Sequence, residues 1–239
     1  MAARGIFVTG TDTGVGKTVV AASLARLLRM NGIRVGVMKP VTSGCLENDG
    51  ELASEDALLL CQAAGTPCSD DVAPYRLREP IAPAAAARIE GVQVDFSVIR
   101  EAFDRLAADY EYLIVEGAGG LMVPLSGGLL VSDLALHLGL PLVVVSRPDL
   151  GTINHTLLTC YAAGQMGLSV SGVIINGMPD NPGPAEKSSP HQIGSLCGAP
   201  VLGIWPRIEA DGEMELVDEL AVWLDGQPET AIVMRELGL

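Results

Sequence analysis

The run GTDTGVGKT, from Gly10 to Thr18, combines glycines, hydroxyls and one lysine. Glycines let backbone N–H groups approach phosphate oxygens, and a following helix N-terminus adds partial positive charge. Lys17 is then placed to bridge β- and γ-phosphates, and the Thr18 hydroxyl to ligate Mg²⁺. The strict pattern, Gly-x4-Gly-Lys-[Ser/Thr], asks for glycine five residues before Gly16. Thr11 stands there, with Gly10 one residue further back, so the loop is a variant.

The chain has twelve arginines but only three lysines, Lys17, Lys39 and Lys187. Two of the three lie in turns rich in Gly, Ser, Thr or Pro within the first forty residues. Lys39 opens KPVTSG, which follows an apolar run. Two cations at one phosphate exceed what nucleotide binding needs, and suit phosphoryl transfer with a second anion present. A surface lysine in a turn is the plainer alternative. Glu116 ends an apolar run in VEGAGG, where glycines leave room for a ligand. Asp56 opens a helical pattern, where an acid also favours the helix dipole. Glu116 and Asp56 are the best Mg²⁺-side acids, because such sites take one or two carboxylates plus phosphate and water.

Asn176, in IING, either reads a base edge through its amide or forms a turn before glycine. LGTINH, from Leu150 to His155, either offers free helix N–H groups to a carboxylate or is capped by Thr152 or Asn154. The three histidines have no metal-ligand spacing and are assigned to structure.

Alternating elements must position these residues. Apolar runs at 6–8, 35–38, 112–115, 142–145, 170–175 and 201–204 read as strands. Helical patterns fall at 18–31, 55–64, 96–107, 153–166, 186–196 and 214–223, and the alanine run 82–87 reads as a tight helix turn. Short, wholly apolar strands separated by helices predict an α/β, P-loop NTPase-like fold. It has a mostly parallel sheet of about seven strands with helices on both faces. The candidate residues follow strand ends, where open α/β sheets bind ligands. The 239 residues predict one domain, with little pattern after Gln227. A net charge of −14 argues against nucleic-acid or anionic-membrane partners. Five cysteines without a Cys-x-x-Cys pair argue against a disulfide framework or zinc site. A cytoplasmic protein is expected.

The ordered set VTGTDTGVGKT, KPVTSG, DAL, VEGAGG and LGTINH, spread over about residues 5–205, resembles the dethiobiotin synthetase family. The variant loop is part of that family's pattern. The resemblance implies closure of a cyclic urea in biotin biosynthesis from 7,8-diaminopelargonic acid, CO2 and Mg-ATP. It passes through a carbamate and a carbamic–phosphoric anhydride to dethiobiotin, ADP and phosphate. It implies catalytic roles for Lys17, Lys39, Thr13 and Ser43. Thr18, Asp56 and Glu116 match Mg²⁺ residues. Gly14, Val15, Gly16, Val19, Gly117, Ala118 and Gly119 match the nucleotide loop and its junction with substrate. Asn176, Gly177, Pro206 and Arg207 match the adenine side. Thr13, Lys39, Ser43 and the loop of Gly151, Thr152, Ile153 and Asn154 match substrate contacts. In the family that loop comes from the neighbouring subunit, which implies a homodimer. Two departures stand out: Gly14 replaces an acid of some members, and Trp205-Pro206-Arg207 reverses the commoner Pro-then-aromatic order. A partitioning-type ATPase switch is the rival. Its loop carries a lysine where Asp12 stands here.

Overall fold

Residues 5–10 and 142–146 are buried throughout, which is the environment of strands inside a parallel sheet. The computed structural model describes residues 4–48 and 50–239. Its central sheet is built from β1 (Gly5–Gly10), β2 (Val35–Met38), β3 (Tyr112–Gly120), β4 (Leu142–Ser146), β5 (Val170–Met178) and β6 (Val201–Pro206). Their order is β6-β5-β4-β1-β3-β2, and all five pairings are parallel.

The helices are α1 (Lys17–Met30), α2 (Glu55–Ala64), α3 (Pro83–Glu90), α4 (Phe96–Asp109), α5 (Val131–Leu138), α6 (Thr152–Gln165), α7 (Pro184–Leu196), α8 (Glu213–Asp225) and α9 (Thr230–Glu236). α1 packs on α2 and α8, whereas α4 packs on α5 and α6 on α7. Right-handed crossovers place the first set on one face of the sheet and the two pairs on the other. The α1 face turned to the sheet carries Val20, Leu24, Leu27 and Leu28, all fully buried. Each such side chain contributes about 1.5–3 kcal/mol by leaving water.

The β1–α1–β2 connection and the β4–α6–β5 connection run in opposite directions along the sheet. The carboxyl ends of β1 and β4 therefore flank a crevice, the place where open α/β sheets bind ligands. Gly10 pairs with both Val145 and Gly120, which aligns the ends of three strands there.

The sheet has six strands where the sequence predicts about seven. Past Met38 the chain leaves the sheet, because Pro40 has no N–H to donate to a ladder. Instead Val41–Ser43 pairs in parallel with Tyr75–Leu77, apart from the main sheet. β3, β5 and β6 run further toward the crevice than their apolar cores, to Gly120, Met178 and Pro206. The alanine run forms α3, an eight-residue helix.

The tail after Gln227 is ordered against the core. α9 buries Val233, and Leu237 beyond it is also buried. The buried Tyr112 hydroxyl donates to the Leu237 carbonyl at 2.8 Å. Tyr112→Phe is expected to cost about 1 kcal/mol, the net value of one such bond. Urea unfolding reads it as a lower midpoint at unchanged slope. Among the described residues no helix is long and apolar enough to cross a membrane.

Candidate active site

The loop after β1 is set by two left-handed glycines, Gly14 (φ 75°) and Gly16 (φ 88°). The Thr11 N–H donates to the Val145 carbonyl at 2.9 Å, extending the sheet ladder into the loop. Gly16 caps α1 without a side chain. A Cβ there would stand 2.2 Å from Asn176 Nδ2, so the position excludes larger residues twice, by conformation and by space. Gly14 has open space around its missing Cβ, so conformation alone selects glycine there.

A cavity of about 380 Å³ lies beside this loop. Thr13, Gly14, Gly16, Lys17, Thr18 and Val19 line one wall; Lys39, Ser43, Asp56, Glu116, Ala118 and Gly119 line the other. Twelve of the expected residues thus converge on one space.

The two lysines are held differently. Lys39 is buried between carboxylates, its Nζ 2.5 Å from Glu116 Oε1 and 2.8 Å from Asp56 Oδ2. This pairing excludes the surface-lysine alternative. Burial works to lower the Lys39 pKa, but Glu116 and Asp56 outweigh it and the net shift is upward. Asp56 is likewise pushed up by burial, but Lys39 leads a set of contacts that bring it below its ordinary value. Glu116, fully buried, rises: burial exceeds the pull of the Lys39 ammonium, and the Asp56 carboxylate adds to the rise. The ion pair therefore does not shift its partners in mirror image, because Lys39 faces two carboxylates and Glu116 carries the full desolvation of a buried acid.

Among the described residues Lys17 has no carboxylate within ion-pair distance. Its Nζ donates to the Asp12 carbonyl at 3.1 Å. Burial lowers its pKa, Glu116 opposes, and Lys39 lowers it further; the net shift is downward. An incoming phosphate would supply the counter-charge that this ammonium lacks.

The Thr18 hydroxyl lies 2.9 Å from Glu116 Oε1 and 3.2 Å from Asp56 Oδ1. Glu116 Oε2 is buried with no hydrogen-bond partner. Among the described residues no group of three or more His, Cys, Asp or Glu side chains forms a metal cage. Two carboxylates, one of them with an oxygen left unpartnered, and one hydroxyl fit Mg²⁺, which completes its shell with phosphate oxygens and water.

Six of the expected nucleotide-side positions lie outside the cavity walls. Gly117 is buried beneath the cavity, and a Cβ there would stand 2.7 Å from Phe7 Cε1. A side chain there would disturb the packing of β3 on β1. Val15 is buried within the loop and presents its carbonyl to Asn176. Asn176 Nδ2 donates to that carbonyl at 3.1 Å, so the amide braces the phosphate loop, which neither sequence alternative anticipates. Pro206 pairs with Met178, and the Arg207 N–H donates to the Met178 carbonyl at 2.7 Å. Asn176, Gly177, Pro206 and Arg207 thus form one ledge beside the loop, outside the walls of the cavity.

Gly151, Thr152, Ile153 and Asn154 also lie outside it. Gly151 is the cap of α6, in left-handed conformation (φ 95°), and no side chain caps the helix. The capping alternative for Thr152 and Asn154 therefore fails. Leu150 projects at 84% exposure beside this turn. A second groove, of about 530 Å³, runs from Thr13 past Met122 to Leu158 and Tyr161 of α6. Thr13 lines both spaces.

Sequence reasoning missed Thr42, Ser54 and Glu213. The Ser54 hydroxyl accepts from the Ala57 N–H at 3.1 Å and bonds the Thr42 hydroxyl at 3.2 Å. This fixes the start of α2, and with it Asp56. A serine just before an acidic first turn was the available signal. Glu213, at the start of α8, lines the cavity from 97 positions beyond Glu116, with no local motif to mark it.

Residues 4–214 match a protein family described as an AAA domain. The ATP-dependent dethiobiotin synthetase BioD of Bacillus licheniformis is 46% identical over 207 residues, 86% of this chain and 87% of that protein. The enzyme of the same name from Thermodesulfovibrio yellowstonii is 46% identical over 211 residues, covering 84% and 88%. Among solved structures, a ParA family ATPase from Chlorobium tepidum superposes with a TM-score of 0.56 at 18% identity, covering all of both chains. The MinD cell division protein of Aquifex aeolicus gives 0.57 at 15%, covering 98% of this chain and 95% of that one. These two share the fold. With relatives of such identity and coverage, the chain belongs to the ATP-dependent dethiobiotin synthetase family.

Proposed function

We propose that this protein closes the ureido ring of dethiobiotin from 7,8-diaminopelargonic acid, CO2 and ATP, releasing ADP and phosphate. The observation that carries the reading is the pair of buried lysines in one cavity, one neutralised by carboxylates and one not. An ATPase alone needs the second. A reaction that brings a carbamate anion to a γ-phosphate also uses the first, where like charges otherwise repel.

One amine of the substrate takes up CO2 as a carbamate, and the carbamate oxygen attacks the γ-phosphate. Lys17 follows the transferring phosphoryl group; Lys39 sits at the carbamate. The second amine attacks the carbonyl, phosphate leaves and the ring closes. Thr13 and Ser43 hold the diamine end so that closure is effectively unimolecular. Thr18, Asp56 and Glu116 would hold Mg²⁺, which would supply charge neutralisation for phosphoryl transfer. Asn176, Gly177, Pro206 and Arg207 form the adenine ledge.

The turn Gly151–Asn154 binds the substrate carboxylate on the N–H groups of Ile153 and Asn154, in the cavity of a neighbouring copy. This is supported by two observations: the turn lies outside its own chain's cavity, and Met122, Leu158 and Tyr161 leave an apolar face, each more than half exposed. A homodimer would cover that face. Five free thiols suit a cytoplasmic protein.

The test is phosphate release from Mg-ATP with and without diaminopelargonic acid and bicarbonate. Release that needs both and matches dethiobiotin formed supports the reading. Release indifferent to the diamine would replace it with an ATPase switch. Asn154→Ala is expected to raise the KM for the diamine about tenfold while that for ATP stays within about twofold, the loss of one polar contact to a carboxylate. Equal shifts would move Asn154 away from the substrate.

A further inference from the structure

Cys61 lies in the last turn of α2, and Cys68 follows three residues after the helix cap Gly65. The left-handed Gly65 (φ 70°) turns the chain back on the helix. The Thr66 N–H donates to the Cys61 carbonyl at 3.0 Å, and the Cys61 thiol donates to the Pro67 carbonyl at 3.8 Å. This reversal sets the Cys61 sulfur against the peptide that joins Pro67 to Cys68. Cys61 is buried and Cys68 exposed. From this geometry we propose that Cys61 and Cys68 are a peroxide-reactive dithiol that closes reversibly to an intramolecular disulfide.

The two thiols are not equivalent. The neighbouring Cys61 thiol brings the Cys68 thiol down to about 7 against partial burial, and the Arg76 guanidinium lowers it further while Asp70 opposes. The same contact and burial push Cys61 up. Cys68 is therefore the accessible thiolate and Cys61 the protonated resolving thiol. The Cys68 thiolate attacks a peroxide oxygen and the O–O bond breaks, leaving a sulfenic acid and hydroxide, which takes a proton to become water. The Cys61 sulfur then attacks the Cys68 sulfur; the S–S bond forms and the sulfenic oxygen departs with the Cys61 proton as a second water. Two thiols and one peroxide give one disulfide and two waters.

The couple joins two parts of the site. α2 carries Asp56 at its other end, and the segment after Cys68 supplies the Val72 carbonyl that accepts the Lys39 N–H at 2.7 Å. A bond between Cys61 and Cys68 ties these together.

The test treats the native full-length protein with stoichiometric hydrogen peroxide at neutral pH. Cleavage after glutamate, which spares the Glu79–Pro80 bond, then yields fragment 56–90, which contains only these two cysteines. The expected result is a fragment lighter by two hydrogens, restored by dithiothreitol. Iodoacetamide is expected to label Cys68 at least about tenfold faster than buried Cys45. In Cys61→Ser, and in Cys61→Ala should the serine variant fold poorly, Cys68 is expected to stop at a sulfenic acid trapped by dimedone. In Cys68→Ser, Cys61 is expected to stay reduced. Three results would overturn the proposal: a fragment of unchanged mass, direct passage of Cys68 to sulfinic acid while Cys61 keeps its thiol, or oxidation of Cys61 in Cys68→Ser. Cys160 on α6 belongs to a buried cluster against which Cys197 packs. Oxidation there would join two other fragments, so it is counted separately.

Discussion

Lys39→Leu is expected to lower dethiobiotin formation about a hundred- to a thousandfold, the cost of losing one preorganised charge at a reacting centre. It is also expected to lower stability by about 3–5 kcal/mol, because it strands Glu116 as a buried, unpaired carboxylate. The two effects can be separated. ATP binding, measured at low temperature where the variant stays folded, is expected to remain within about tenfold of the native value. The stability deficit carries its own signature. Burial already raises the Glu116 pKa with Lys39 present, and without it the rise is larger. A carboxyl whose folded pKa exceeds its unfolded one binds a proton on folding. That contribution is full below the unfolded value and fades as pH rises through the folded one. The deficit should therefore be smaller in mild acid than in mild alkali, as read by melting temperature against the native protein. Ring formation surviving in Lys39→Leu would remove Lys39 from the chemistry. A deficit independent of pH would mean that Glu116 does not take up the proton.

Lys17→Gln is expected to give the opposite balance. Turnover should fall by at least about a thousandfold, since this ammonium follows the transferring phosphoryl group. ATP affinity should weaken at least about tenfold, or ~1.4 kcal/mol. Stability should change by less than about 1 kcal/mol, because among the described residues the hydrogen bond lost is the one to the Asp12 carbonyl. The burial that lowers the Lys17 pKa opposes its charge, so a neutral side chain relieves that penalty. Isothermal titration with ATP and a urea unfolding curve decide this. Normal turnover would overturn the loop assignment, and a loss of several kcal/mol would mean that Lys17 has a structural partner. Two lysines of one cavity thus separate by their counter-charges. Lys39 holds the site together and awaits an anion; Lys17 awaits the phosphate that completes it.

Local features of the sequence determined most of the frame. The apolar runs located all six central strands, because a strand buried on both faces has no polar positions to obscure it. Glycine spacing before Lys17 located the phosphate loop, since only glycine takes the left-handed conformation at low cost. Lys39 and Glu116 were legible as polar residues at the ends of apolar strands. What the sequence left open lies in contacts between distant positions. Lys39 meets Glu116 across 77 positions, and Asn176 meets Val15 across 161. No periodicity encodes such pairings. Gly117 read as a ligand-side glycine, but Phe7 packs where its Cβ would stand, and only the β1–β3 pairing determines that. The tail read as patternless because α9 is a short helix of seven residues. Its order comes from Val233, Leu237 and the Tyr112 hydroxyl, which bury and bond it from the far end of the chain. The partner of Asn176 and the uncapped start of α6 followed the same rule. Residue type limits the hydrogen bonds a side chain can make, and the folded chain decides which partner is within reach.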